Sequence, residues 1–89
     1  MAARLILTKH LLIRLAERKI SLTWVERVAT SPDWTEPGPG DPEITRAFGR
    51  VEESGGKVLR VAYTERSNGR YVLTAHFDAK QTRRRGRCV

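Results

Sequence analysis

Apolar and polar residues alternate through the stretch VLRVAYTERSNGRYVLTAHFD, Val58 to Asp78, and the alternation predicts an antiparallel β-hairpin. Leu59, Val61 and Tyr63 fall on one face of its first strand, and Tyr71, Leu73, Ala75 and Phe77 on one face of its second. A two-residue Asn-Gly turn would set Val61 opposite His76 and mix apolar with polar side chains. A three-residue loop, Ser67-Asn68-Gly69 with a bulge at Gly69, sets Val61 opposite Ala75 and Tyr63 opposite Leu73, and is the predicted connection. The other face then carries Arg60 opposite His76, Ala62 opposite Thr74 and Thr64 opposite Val72.

Upstream the period changes from two to about 3.6 residues. Residues 3–7 make a short β-prone run that stops at Thr8, a good helix N-cap. A first helix over Lys9–Lys19 carries Leu11, Leu12, Leu15 and Ala16 as its apolar stripe. His10, Arg14, Glu17 and Arg18 fall on the opposite face, either as a solvated face of weak ion pairs or, for His10 and Arg14, as the border of a site. Ser21 caps a second helix that turns Leu22, Val25, Val28 and Ala29 inward until Pro32 stops it. Trp24 and Trp34 read as core plugs in preference to stacking platforms.

SPDWTEPGPGDPE, residues 31–43, holds all four prolines and reads as a surface loop with a short extended piece around Trp34. Its Pro-Gly-Pro-Gly run has neither the lysine nor the following helix of a phosphate-binding loop. A strand over Ile44–Glu53 follows, turned by Ser54-Gly55-Gly56 so that Val51 meets Leu59, Gly49 meets Val61 and Ala47 meets Tyr63, unless Gly49 marks a bulge that shifts part of this register. On the open face Arg50 then meets Arg60, Arg46 meets Thr64 and Phe48 meets Ala62. This register puts Arg50, Arg60 and His76 in one row, with Phe48 and Thr74 in the next. Like charges side by side destabilise a sheet. The row therefore needs either a bound anion or nearby carboxylates, for which Glu52 and Asp78 stand one row along.

The expected fold class is α+β, a short N-terminal strand and an αα-hairpin packed on one face of an antiparallel β-sheet. A chain of 89 residues gives one such domain, over residues 1–79, followed by a basic tail over 80–89 with Lys80, Arg83, Arg84, Arg85 and Arg87. Seventeen Lys and Arg against ten Asp and Glu, a net charge of +7, favour a polyanion or an acidic protein as partner. No apolar run reaches the ~18 residues of a membrane span, so the expected location is cytoplasmic. The single Cys88 excludes an internal disulfide and a cysteine-based zinc cluster.

The order of elements, with Lys9-His10, Ile20-Ser21 and Val61-Ala62-Tyr63-Thr64-Glu65-Arg66 followed by Arg70, resembles the BrnT-like branch of the RelE-like toxin ribonucleases. The Lys9, His10, Arg14, Glu17, Arg18 opening also resembles that of a related group of small bacterial proteins. The resemblance implies the toxin component of a toxin-antitoxin pair, a metal-independent endoribonuclease without cofactor, neutralised by an antitoxin laid over the basic face. BrnT-like chains usually carry arginine late in the last strand, where this one has His76 and Phe77.

Metal-free cleavage by the RNA 2′-hydroxyl needs a base, an acid and cations at the phosphate. The residue types nominate His76 for proton transfer, Arg50 and Arg60 for the phosphate and His10 as a second proton-transfer group. Phe48 is the candidate base-stacking residue, and Arg46, Arg14, Arg70, Arg83, Arg84 and Arg85 are the candidate RNA contacts. Two other functions fit the same charge: a non-catalytic nucleic-acid adaptor and a domain awaiting an acidic protein partner.

Overall fold

The computed structural model describes residues 4–83. Its helices begin where side-chain oxygens can serve their unpaired amides. Thr8 Oγ1 accepts from the Leu11 amide at 3.1 Å to open α1 (Lys9–Glu17), and Ser21 Oγ accepts from the Thr23 amide at 3.2 Å to open α2 (Leu22–Thr30). Between them the chain reverses at Lys19, whose φ of 56° is left-handed. The Ile20 amide bonds the Leu15 carbonyl and the Lys19 amide the Ala16 carbonyl, a Schellman motif that seats Ile20 beside Leu15 in the core.

Five strands follow the order β1-β5-β4-β3-β2 in one mixed sheet. They are β1 (Leu5–Ile6), β2 (Trp34–Gly38), β3 (Asp41–Val51), β4 (Lys57–Arg66) and β5 (Gly69–Phe77). β1 runs parallel to β5 and the other neighbours are antiparallel, so the fold is α+β with both helices on one face. That face closes over Leu11, Leu15, Ile20, Val25, Val28 and Ala29 from the helices and Ala47, Val51, Leu59, Val61, Tyr63, Val72 and Ala75 from the strands. The smallness of Gly49 has a specific use: a Cβ there would sit 2.7 Å from Val28 Cγ2, so α2 approaches the sheet over it. The helical stripes are narrower than expected. Leu12 and Leu22 are 42% and 40% exposed, and Ala16 is exposed, because two nine-residue helices meet the sheet along i, i+4 and i, i+3 lines only.

Three sequence expectations change. The proline-rich stretch contributes an edge strand, β2, and β3 starts at Asp41, ahead of Ile44. Pro37 is tolerated because an edge strand can forgo a ladder donor. Second, the β3–β4 connection is longer than Ser54-Gly55-Gly56. Glu52–Ser54 form a 3₁₀ turn and Gly55 and Gly56 follow at φ 76° and 80°, so Val51 pairs with Lys57. The register moves by two residues, which keeps every side chain on its expected face and changes its neighbour. Phe48 is opposite Arg60, and Arg50 is opposite Val58.

Third, the β4–β5 hairpin turns on two residues, Ser67 and Asn68, with Arg66 opposite Gly69. Continued unchanged, that register would pair Val61 with Thr74 and bury polar side chains. A bulge corrects it: Tyr63 pairs with Val72 and Ala62 with Thr74, leaving Leu73 unpaired and 48% exposed. Below the bulge, Arg60 faces His76 and Val61 faces Ala75, as expected. Above it the faces are exchanged. Val72 enters the core, Tyr71 joins the open face opposite Thr64, and Arg70 turns to the helices.

The chain then folds back through α3 (Ala79–Gln81), capped by Asp78, and the Thr82 hydroxyl accepts from the Val58 amide at 2.9 Å. This turn takes up Lys80 and Gln81, the first residues of the basic tail.

Candidate nucleic-acid interface

The sheet face away from the helices carries a row contributed by four strands: Trp34, Phe48, Arg60 and His76. The next row is Glu36, Arg46, Ala62 and Thr74. Each row repeats the two-residue pleat of its strands. Trp34 stacks on Phe48 with ring centroids 5.0 Å apart and planes 3° from parallel. The Trp34 Nε1 donates to Glu36 at 3.3 Å, and the Arg46 guanidinium lies 5.9 Å from the Phe48 centroid.

Phe48 is 1% exposed, and Trp34 already covers it, so a nucleobase would meet the half-buried tryptophan. Trp34 is therefore outside the core cluster, stacked on Phe48 at the open face in place of the core position that the sequence favours. Its alternation with Glu36 ahead of a Pro-Gly turn was the available signal.

The Arg60 guanidinium contacts Nε2 of His76 directly and forms an ion pair with Asp78 at 3.4 Å. A guanidinium can only donate, so Nε2 is the accepting nitrogen and the neutral ring carries its proton on Nδ1. Burial, then the positive charges of Arg60 and Arg18, hold the His76 pKa below its usual 6.5, against an opposing pull from Asp78. Arg18 reaches this edge from the end of α1 and donates to the Ala75 carbonyl at 3.0 Å. A cleft of about 240 Å³ opens between the Gly38–Pro39 turn and the side chains of Arg46, Arg60, Thr74 and His76. The pair at its base can accept a proton at neutral pH and donate N–H groups to an anion.

Of the residues singled out from sequence, Arg46, Arg60 and His76 line this cleft and Phe48 adjoins it. Arg50 does not share their row; its guanidinium pairs with Glu52 at 2.7 Å, and its amide donates to Asp33 at 2.9 Å. His10 and Arg14 are exposed on α1, joined at 3.4 Å, in the layer that covers the other side of the sheet. Arg70 has also left the open face. Its guanidinium donates to Glu65 and to the Ala29 carbonyl and lies 4.7 Å from the Tyr63 centroid. Arg83 is exposed beside Lys57 and Phe77, away from the cleft, while Arg84 and Arg85 lie outside the described residues. Tyr71, assigned to the core from sequence, stands on the open face with its hydroxyl 3.3 Å from Asn68 Nδ2.

The charge conflict expected along the strip is met by local carboxylates: Glu36 serves Arg46, Asp78 serves Arg60, and Glu52 serves Arg50. Asp78 is one row from Arg60 and also caps α3, accepting from the Gln81 amide at 2.9 Å, so it holds the guanidinium from a fixed point.

Fold and face together define a small α+β domain whose uncovered sheet surface holds stacked aromatics beside a half-buried guanidinium–imidazole pair. Within that class, the chain belongs to the family described as Domain of unknown function (DUF4258), which it matches over residues 7–77. No curated protein and no solved structure matches it.

Proposed function

We propose that this protein binds RNA on the open face of the sheet and cleaves it without a metal ion, as the toxin component of a bacterial toxin-antitoxin pair in the cytoplasm. The observation that carries the reading is His76, kept neutral inside a cleft and touching Arg60 through Nε2. A phosphodiester entering the cleft draws N–H donors from Arg60 and Arg46, which frees His76 Nε2 to take the proton of the neighbouring 2′-hydroxyl. The 2′-oxygen attacks phosphorus, the bond to the 5′-oxygen breaks, and solvent reaching the open cleft protonates the leaving oxygen. The products are a 2′,3′-cyclic phosphate and a 5′-hydroxyl. The antitoxin is an acidic or DNA-binding protein lying over the same face, which the net charge of +7 favours.

A second reading, an RNA-binding module without catalysis, is favoured by one observation. Both cleft arginines already have a carboxylate partner, and His76 is the only histidine lining the cleft among the described residues. Incubating the purified protein with single-stranded RNA in EDTA separates the two. Cleavage that falls by ~10²-fold or more in His76→Gln while binding persists supports the enzyme. Bound, uncut RNA supports the module, and absence of both binding and cleavage overturns both readings.

A further inference from the structure

The open face has a second cavity, of about 460 Å³, at the hairpin end and lined by Thr64, Arg66, Ser67, Asn68, Tyr71 and Leu73. It abuts the first. Ile44 lines one cavity and its cross-strand partner Thr64 the other, and the adjacent residues Thr74 and Leu73 are divided in the same way. Only the bulge makes this cavity aromatic, because it is the bulge that brings Tyr71 to the open face and leaves Leu73 in solvent.

Resting on the RNA reading above, we infer that this cavity is a nucleobase subsite, holding the base of a nucleotide neighbouring the phosphate at Arg60. Three groups have the chemistry for it. Tyr71 and Leu73 supply a flat aromatic surface and an exposed aliphatic wall, the surroundings in which an unstacked base loses water. Asn68 offers a donor and an acceptor on one planar amide at the rim, suited to a base edge. Arg66 lies 5.9 Å from the Tyr71 centroid, and among the described residues it has no carboxylate within ion-pair distance, in contrast to Arg46, Arg50 and Arg60. It is the cation of this face that meets a backbone phosphate without first giving up a carboxylate. Thr64 lies four residue steps along β4 from Arg60, ~13 Å along the strand, which keeps both cavities within reach of one short oligonucleotide.

The test is fluorescence anisotropy with the full chain and two labelled single-stranded RNAs of equal length, one normal and one with abasic positions. The wild type should bind the normal RNA ~10-fold more tightly than the abasic one. Tyr71→Ala should remove most of that preference and leave the salt dependence of the abasic RNA unchanged, whereas Arg60→Gln should weaken both RNAs alike and lower the salt slope by about one. Asn68→Ala, a change at an exposed turn, should alter the ranking of homopolymer RNAs without touching the fold. Salt-dependent binding sensitive to Arg60→Gln but equal for both RNAs sinks the subsite and leaves the RNA reading standing. Failure of both RNAs to bind sinks the two together.

Discussion

Replacing Arg70 by Ala separates a structural role from an RNA contact, since the sequence nominates this arginine for RNA and the structure turns it to the helices. Its guanidinium makes a charged hydrogen bond to the Ala29 carbonyl, worth about 1.5–3 kcal/mol. It also lies over the ring of Tyr63, itself 5% exposed, for about 0.5–2 kcal/mol. The pair with Glu65, whose side chain is 59% exposed, adds at most about 0.5 kcal/mol after solvent screening. One guanidinium makes all three contacts, so they do not add fully, and the expected loss is about 2–3 kcal/mol. With a urea slope of ~1 kcal/mol/M for so small a domain, the unfolding midpoint should fall by ~2 M. Arg70→Lys keeps the charge without the planar fork and should recover less than half of the loss. RNA affinity, measured where both variants are folded, should match the wild type. A midpoint within ~0.5 M of the wild type, combined with weakened RNA binding, would refute the assignment of Arg70 to the helix end.

Two further outcomes follow from the geometry. Because the folded pKa of His76 lies below 6.5, the unfolded chain holds more protons in the interval between the folded value and 6.5. Its contribution to stability is therefore complete above that interval and lost as pH falls through the folded value. Urea midpoints at pH 7.5 and pH 5 should accordingly differ less in His76→Gln than in the wild type, and equal differences would contradict the half-buried neutral ring. Gly49→Ala places a Cβ 2.7 Å from Val28 Cγ2 and should cost about 1–3 kcal/mol, part of which Val28→Ala restores when combined; an additive double mutant would place α2 elsewhere.

The sequence carries parity well and partner identity poorly. Leu59, Val61 and Ala75 lie on the core face and Arg60 meets His76 because a period of two decides sides, and that pair is the centre of the candidate site. Arg50 left the row because Glu52–Ser54 could continue a strand or turn, and only the fold shows that they turn. The bulge was harder still to foresee. Val72 and Leu73 are both apolar, so either could enter the core, and the choice is made by contacts remote in sequence. Arg70 reaches Ala29, and a Cβ on Gly69 would meet the Arg4 carbonyl. The short extended piece expected around Trp34 proves to be a full edge strand for a different reason, since four prolines in its neighbourhood weaken a strand signal that an edge position permits.

The unpaired Leu73 makes this hairpin tolerant of a change in length. Deleting that one residue would close β5 into a regular ladder with Tyr63 still opposite Val72 and Ala62 still opposite Thr74, so Tyr71 would keep the open face and Arg70 the helical one. Among relatives of this chain, a one-residue gap between positions 72 and 74 would therefore strip the aliphatic wall from the second cavity and leave its tyrosine standing.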